Sequence, residues 1–457
     1  MDIQGKRVLI VGLGKSGVAA AHFLLERGAR VTVSDAKPES QFSKEIPELL
    51  DRGITVETGG HGERTFRGQD LIVVSPGVPY NVAPLVQARN QGVPVIGEVE
   101  LAARFLQGKI IAITGSNGKT TTTALTGEIV EHAGLQVQVG GNIGTPVISM
   151  VAQSTQETYN VLEVSSFQLE TIETFHPQIA VILNITPDHL DRHGTLEGYT
   201  AAKARIFENQ TGKDFAVLNN DDPICHSLAA KIKAQVMWFS RKPESQIENG
   251  AFVCGGKIFW RQAEREQEIM PVSEIPLKGN HNLENVLAAV SAAMLAGCAP
   301  GKIREAVAQF KAVEHRLEFV ASINGVEYFN DSKATNVDAT IKALESFPAN
   351  IHIILGGKDK GSDYTVLKQL LRERARRVYT IGAAAGKIES HIAGSAPVER
   401  AGTLEAAVRR AAELAEPGDV VLLAPACASF DQFENYEHRG RVFKQTVQAM
   451  AKRSGAA

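Results

Sequence analysis

The chain has 457 residues, is 44% apolar and 22% charged, and carries a formal net charge of −3. That length exceeds one ordinary core, and roughly two to four domains are expected. Slight acidity argues against a nucleic-acid or membrane-surface partner, either of which favours a basic face. No run approaches the roughly 18 apolar residues of a membrane span. The opening MDIQGKRVLIVGLG enters a strand pattern at once, without a cleavable-signal pattern. Cys225, Cys254, Cys298 and Cys427 lie far apart with no CxxC pair, so neither a zinc site nor a disulfide framework is expected, and a reducing cytoplasm fits.

Residues 1–97 alternate short β-branched runs (RVLIVGL, ARVTVSD, DLIVVSPG, VPVIG) with helical patterns, which predicts a parallel α/β sheet. After the first run comes Gly12-Leu13-Gly14-Lys15-Ser16-Gly17, and Asp35 ends the next. This is the dinucleotide fingerprint: a diphosphate lies on a helix N-terminus and an acid holds a sugar or base. Taken alone it would serve an NAD-dependent oxidoreductase, or be a tight turn without a ligand. Ser75-Pro76-Gly77 would form another wall of the same crevice.

A second α/β unit, residues 98–312, begins with the strand KIIAITG. There IIAITGSNGKTTTTAL reads as strand, glycine-rich turn and helix. Gly115, Ser116, Asn117, Gly118, Lys119 and Thr120 supply the parts of a phosphate loop. Their spacing is shorter than in the common G-x-x-x-x-G-K-[ST] form. Backbone N–H groups would face a phosphate, Lys119 would neutralise it, and the Thr120 or Thr121 hydroxyl would reach a metal. Further strand runs end in Glu163, just before Ser165, and in Asn184-Ile185-Thr186-Pro187-Asp188-His189. Glu163 and His189 would suit Mg²⁺ beside phosphates; a plain loop histidine is the competing reading, and Asp188, Asp191 and His193 would organise the turn. Lys203 sits on a helical pattern among small and apolar residues, where a stem that packs while its ammonium reaches solvent is the simplest reading. The polar stretch 237–276 predicts short antiparallel strands. Beyond the helical HNLENVLAAVSAAMLAG, in which Asn282 and Asn285 grip an adenine or cap the helix, residues 301–313 are expected to be a linker.

The last segment, residues 313–457, repeats the alternation. Its motifs are His315-Arg316-Leu317-Glu318, Asn330-Asp331-Ser332-Lys333-Ala334-Thr335, Gly356-Gly357-Lys358-Asp359-Lys360 and Ala426-Cys427-Ala428-Ser429-Phe430. Three of these loops follow predicted strands and would converge on one sheet edge, offering Lys, Ser, Thr and Arg to an anionic substrate.

TGSNGKTT, EVSSFQLE, NITPDHLDRHG, AAKARIF, GNHNLEN, EHRLE, NDSKATN and APACASFDQF, in this order, resemble the motifs of the Mur ligases, cytoplasmic ATP-dependent amide-bond ligases of peptidoglycan synthesis. The resemblance spans nearly the whole chain. It implies three α/β domains: a Rossmann-like one for a UDP substrate, a central P-loop ATPase-type one for ATP, and a Rossmann-like one for an amino acid. GLGKSG, the SPG turn and NYEHRG look most like the members that add D-glutamate to UDP-N-acetylmuramoyl-L-alanine through an acyl phosphate. A sister Mur ligase or a folylpolyglutamate synthetase-like ligase is the alternative. The resemblance further implies that Lys15, Ser16, Asp35, Ser75, Pro76, Gly77, Asn142 and Ser165 bind the UDP substrate. Gly115–Thr121 with Asn285, Arg316 and Asp331 would bind ATP. Thr120, Glu163 and His189, together with a carbamylated Lys203, would hold two Mg²⁺ ions, with Lys119, His189 and Lys203 in catalytic roles. Lys333, Thr335, Lys360, Ser429 and Phe430 would take D-glutamate, although Lys358 could exchange roles with Lys360 because the family often has Asp-Gly-Lys there. A monomer is expected, without nucleic-acid or membrane partners.

Overall fold

The computed structural model describes residues 1–242 and 247–453. They form three sheets in two compact units, one of residues 1–272 and 284–308 and one of residues 273–283 and 309–457.

In the first unit, β1 (Arg7–Val11), β2 (Arg30–Asp35), β3 (Thr55–Thr58), β4 (Leu71–Val74) and β5 (Val95–Gly97) build a parallel sheet in the order β3-β2-β1-β4-β5. Both its faces are covered, so Val8–Val11 and Leu71–Val74 read as continuous apolar runs. Strand order reverses at β1, which opens a crevice beyond the C-terminal ends of β1 and β4. Gly12 and Ser75 meet there. A Cβ on Gly12 would lie 2.8 Å from Ser75 Cβ, and one on Gly17 would lie 1.9 Å from the Gly12 oxygen.

The second sheet of that unit uses β6 (Lys109–Thr114), β7 (Val137–Gly141), β8 (Tyr159–Glu163), β9 (Ile179–Ile182), β10 (Phe215–Asn219), β11 (Gln235–Ser240), β12 (Gly250–Cys254), β13 (Lys257–Gln262) and β14 (Arg265–Pro271). Its order is β14-β13-β12-β11-β10-β9-β6-β8-β7. Pairing is parallel from β7 to β12 and antiparallel from β12 to β14. The polar stretch therefore does carry antiparallel strands, with residues 243–246 of it outside the described residues. One hydrophobic cluster runs from Leu24 and Val33 through Val99 and Ile148 to Leu162 and Ile182, joining the layers of both sheets.

The expected linker at 301–313 is a correction. Residues Pro300–Gln309 form a helix that buries Ile303, Ala306 and Val307, and Phe310 follows, also buried. That is a helical apolar stripe in a short, polar-looking segment.

The second unit holds β15 (Glu318–Ile323), β16 (Val326–Asn330), β17 (Ile351–Gly356), β18 (Ala375–Ile381), β19 (Val398–Gly402) and β20 (Val420–Leu423), ordered β15-β16-β20-β17-β18-β19. Strands β16, β20 and β17 are adjacent and parallel. The three loops that follow them consequently share one edge, as their sequence positions predicted.

Candidate active site

Gly118 ends the phosphate loop with a left-handed φ of 86° and opens the helix Lys119–His132. A Cβ there would fall 2.1 Å from Asn285 Oδ1, so glycine is required and Asn285 is packed on the loop. The turn after β9 braces the loop from the other side. Asn184 accepts from the Ser116 N–H at 2.9 Å and, through Oδ1, from the Asn117 N–H at 2.8 Å. The Ser116 hydroxyl donates to the Thr186 carbonyl at 2.9 Å. Lys119 Nζ donates to the Gly115 and Ser116 carbonyls at 2.8 Å each, which holds the ammonium over the loop. Thr120 and Thr121 are both buried. The Thr120 hydroxyl donates to Glu163 Oε2 at 2.8 Å, and Asn142 Nδ2 donates to Glu163 Oε1 at 2.7 Å. Asn142 thus touches the carboxylate at the end of β8.

Lys203 overturns the solvent-reaching reading. It is 1% exposed on the helix Leu196–Ala204, and its Nζ donates to the Gly115 carbonyl at 2.8 Å. The Nζ also lies 4.5 Å from the Tyr199 ring centre. Burial and then the Lys119 charge hold this amine well below the ordinary lysine range. A helix of small residues lets the side chain turn inward, which composition alone did not reveal. His189 is exposed and takes a left-handed φ of 53°, and its N–H donates to the Asp188 carboxylate at 2.9 Å. The Glu163 carboxylate and the His189 imidazole are donors of the kind Mg²⁺ takes beside phosphates, and the Lys203 amine stands at the same loop on the Gly115 carbonyl.

At the first sheet, Asp35 Oδ2 accepts from the Leu13 N–H at 2.7 Å and Oδ1 from the Lys37 N–H at 2.9 Å, fixing the acid beside the glycine-rich turn. Lys15 Nζ donates to the Gly144 carbonyl at 2.5 Å, which ties this turn to the loop bearing Asn142. Ser16 lies on the first turn of the helix Lys15–Glu26. The Ser75 hydroxyl donates to the Gly12 carbonyl at 3.0 Å, and the Pro76 carbonyl accepts from Arg192. Gly77 has open space where a Cβ would stand. Ser165 has a structural task as well, because it caps the helix Ser166–Leu169 in a capping box with Gln168.

In the second unit, Asp331 Oδ1 accepts from the Leu317 N–H at 3.2 Å. Burial pushes this carboxyl up to about 7, against the lowering pull of the Arg316 charge. Lys333 Nζ stands 3.7 Å over the Tyr436 ring, and the Thr335 N–H donates to the Lys333 carbonyl at 2.7 Å. Lys358 pairs through its backbone with Ala428, next to buried Ser429 and to Phe430, which is 67% exposed. Lys360 is exposed and follows Asp359, whose carboxylate accepts from the Tyr364 hydroxyl and the Lys387 ammonium at 2.8 Å each. Fully buried Arg439 donates to the Ser332 hydroxyl and carbonyl and to the Cys427 carbonyl, binding two of the loops together. Sequence reading missed Arg439; its position in NYEHRG, right after the last loop, was the available signal. It also missed the brace from Asn184 and the contact of Arg192 with the Pro76 carbonyl.

Residues 6–97 match the N-terminal domain of MurD-like Mur ligases, residues 113–293 the Mur ligase middle domain, and residues 315–427 the Mur ligase glutamate ligase domain. The chain belongs to the Mur ligases. The Gly12 turn of this ligase is therefore not that of an NAD enzyme. A UDP-N-acetylmuramoylalanine–D-glutamate ligase of Koribacter versatilis is 64% identical over 99% of both chains. One of Acidobacterium capsulatum is 61% identical over 100% of this ligase and 99% of the other. In fold, this Mur ligase is similar to a pseudomurein peptide ligase type C from Methanothermus fervidus (TM-score 0.61, 21% identity, 98% and 100% covered). It is also similar to the UDP-N-acetylmuramate–alanine ligase of Thermotoga maritima (TM-score 0.60, 20% identity, 97% and 100% covered). Among its described residues no helix is long and apolar enough to cross a membrane.

Proposed function

We infer that the chain is an ATP-dependent ligase that joins D-glutamate to UDP-N-acetylmuramoyl-L-alanine in peptidoglycan precursor synthesis. The observation that carries this reading is the short phosphate loop wrapped around buried Thr120, Glu163 and Lys203, in the same unit as the glycine-rich turn. The L-alanyl carboxylate attacks the γ-phosphate of ATP, giving an acyl phosphate and ADP. The neutral amine of D-glutamate then attacks the acyl carbon, and the tetrahedral intermediate expels phosphate.

Gly115–Thr121 cradle the phosphates of ATP, with Lys119 offsetting their charge. Asn285, Arg316 and Asp331 take its adenine and ribose end. Lys15, Ser16, Asp35, Ser75–Gly77, Asn142 and Ser165 hold the UDP substrate, and Lys333, Thr335, Lys360, Ser429 and Phe430 hold D-glutamate. Thr120, Glu163, His189 and Lys203 carrying a carbamate hold two Mg²⁺ ions, which when bound neutralise charge gathered among phosphates and carboxylate. The oxygen-rich donors and the buried amine support that assignment. We take domain limits of 1–97, 98–312 and 313–457, a monomer, and a cytoplasmic location where ATP and the UDP precursor are available.

The test is phosphate release with UDP-N-acetylmuramoyl-L-alanine, ATP and a panel of D- and L-amino acids. Release with D-glutamate alone supports the reading. Release with another amino acid, or with none, overturns it.

A further inference from the structure

Arg192 lies outside the residues assigned above, yet both sheets of the first unit meet on it. Its Nη1 donates to the Pro76 carbonyl at 3.1 Å. Its Nη2 donates to the Val78 carbonyl at 3.3 Å and to Glu170 Oε2 at 2.7 Å. The guanidinium also stacks on Phe167, 4.2 Å from the ring centre. One planar group therefore grips the turn that walls the UDP crevice and the short helix Ser166–Leu169 that follows the Glu163 strand.

The contacts continue inward. The Phe167 ring meets His189 edge-on at 4.9 Å and lies against His193 at 5.5 Å. His193 bonds Ser166 Oγ through Nε2 at 3.0 Å and lies 3.2 Å from Glu170 Oε1 through Nδ1. It packs 5.3 Å from Tyr199, whose ring faces the Lys203 amine and whose hydroxyl accepts from Ser116 at 3.3 Å. Packed side chains thus run without a break from the UDP turn to the two residues read as Mg²⁺ ligands and to the phosphate loop.

We propose that Arg192 is a positioning residue that couples occupancy of the UDP-substrate turn to the placement of His189 and Lys203. The inference rests on the Mg²⁺ reading of those two residues. Only a rigid fork can hold two carbonyls and a carboxylate while stacking on a ring; a lysine ammonium keeps the charge and loses the geometry. Coupling of this kind is reciprocal, so Mg²⁺ with nucleotide tightens the UDP substrate through the same path that lets the UDP substrate tighten Mg²⁺.

Spatial continuity alone does not establish coupling, and a binding cycle does. The Kd of UDP-N-acetylmuramoyl-L-alanine is measured calorimetrically on the full chain, with and without Mg²⁺ plus a non-hydrolysable ATP analogue. Wild type, Arg192→Lys, Arg192→Gln and Arg205→Lys are compared, each checked for folding by circular dichroism. Arg205 is a matched control, since it donates to the Leu169, Glu170 and Ile172 carbonyls without reaching the turn. The expected result is a change in Kd of about fivefold or more in wild type and Arg205→Lys, within the usual range of coupling, that collapses in both Arg192 variants. Undiminished coupling in the folded Arg192 variants, equal loss in Arg205→Lys, or no coupling in wild type overturns the proposal. A His189→Ala arm separates the two readings: if Mg²⁺ binding there is unchanged, the metal assignment fails instead.

Discussion

Lys203 and Lys360 are both lysines in glycine- or alanine-rich sequence, and the structure treats them oppositely. Lys203 is enclosed, with its amine on the Gly115 carbonyl. A carbamate forms when a neutral amine attacks CO₂ and loses a proton, and burial favours that neutral form. Lys203→Ala should lose activity by roughly 100-fold or more, as expected for a lost metal ligand, while UDP-substrate binding and fold persist. Formate should restore part of the turnover by filling the cavity with a carboxylate, and Lys203→Arg should stay inactive. Near-normal steady-state rates in Lys203→Arg would end the carbamate assignment. Lys360 instead stands exposed on a loop pinned through Asp359. The charge-assisted bond proposed between it and a D-glutamate carboxylate would be worth about 1.5–3 kcal/mol. Lys360→Ala should therefore raise the KM for D-glutamate by about tenfold or more and leave those for ATP and the UDP substrate unchanged. If Lys358→Ala shows that selective loss instead, the clamp belongs to Lys358.

The turn after β1 separates what a glycine does for the chain from what it does for a ligand. Gly14 has no atom within 4 Å of where a Cβ would stand and its φ is −71°, so alanine fits the protein itself. Gly17 has the Gly12 oxygen 1.9 Å from that point. Gly14→Ala should keep the melting temperature and raise the KM for the UDP substrate alone, whereas Gly17→Ala should lower stability by about 1–3 kcal/mol by overpacking. A KM shift for ATP in Gly14→Ala would put the nucleotide in the wrong sheet. Elements built on strong local rules were legible in this way. Apolar runs gave the parallel strands, and glycine-rich stretches such as GLGKSG and GSNGK gave the loops at their ends. The helix at Pro300–Gln309 escaped because its stripe of Ile303, Ala306 and Val307 is short and weakly apolar. The inward turn of Lys203 and the bridging of loops by Arg192 and Arg439 depend on which distant segments meet, and no residue spacing encodes that. The motif order nonetheless placed Glu163 and Lys119 correctly at strand and helix ends.

At the scale of the whole molecule, the junction between the first two sheets contains a buried acid. Glu98 follows β5 directly, is 2% exposed, and its Oε1 accepts from the Ile148 N–H at 2.7 Å. Ile148 lies on the segment that follows Asn142 and Gly144, so this carboxyl helps to set the loop that Lys15 also holds. Burial pushes its pKa up to about 7 from an ordinary 4.5, despite the lowering effect of the Ile148 and Val147 N–H groups. The folded chain therefore keeps this proton to a higher pH than the unfolded chain does. Stability from the protonated form is complete below 4.5 and is lost as the pH rises through about 7. The loss is about 3 kcal/mol for a shift of this size. Glu98→Gln keeps an oxygen for the Ile148 N–H and cannot ionise. Urea unfolding of the full chain, followed from pH 4 to pH 9, should show a wild-type midpoint that falls relative to Glu98→Gln between about pH 4.5 and pH 7, with the gap levelling off above about pH 7. Parallel midpoints across that range would mean that the carboxyl is already ionised in the folded chain, and that water or a cation reaches the junction.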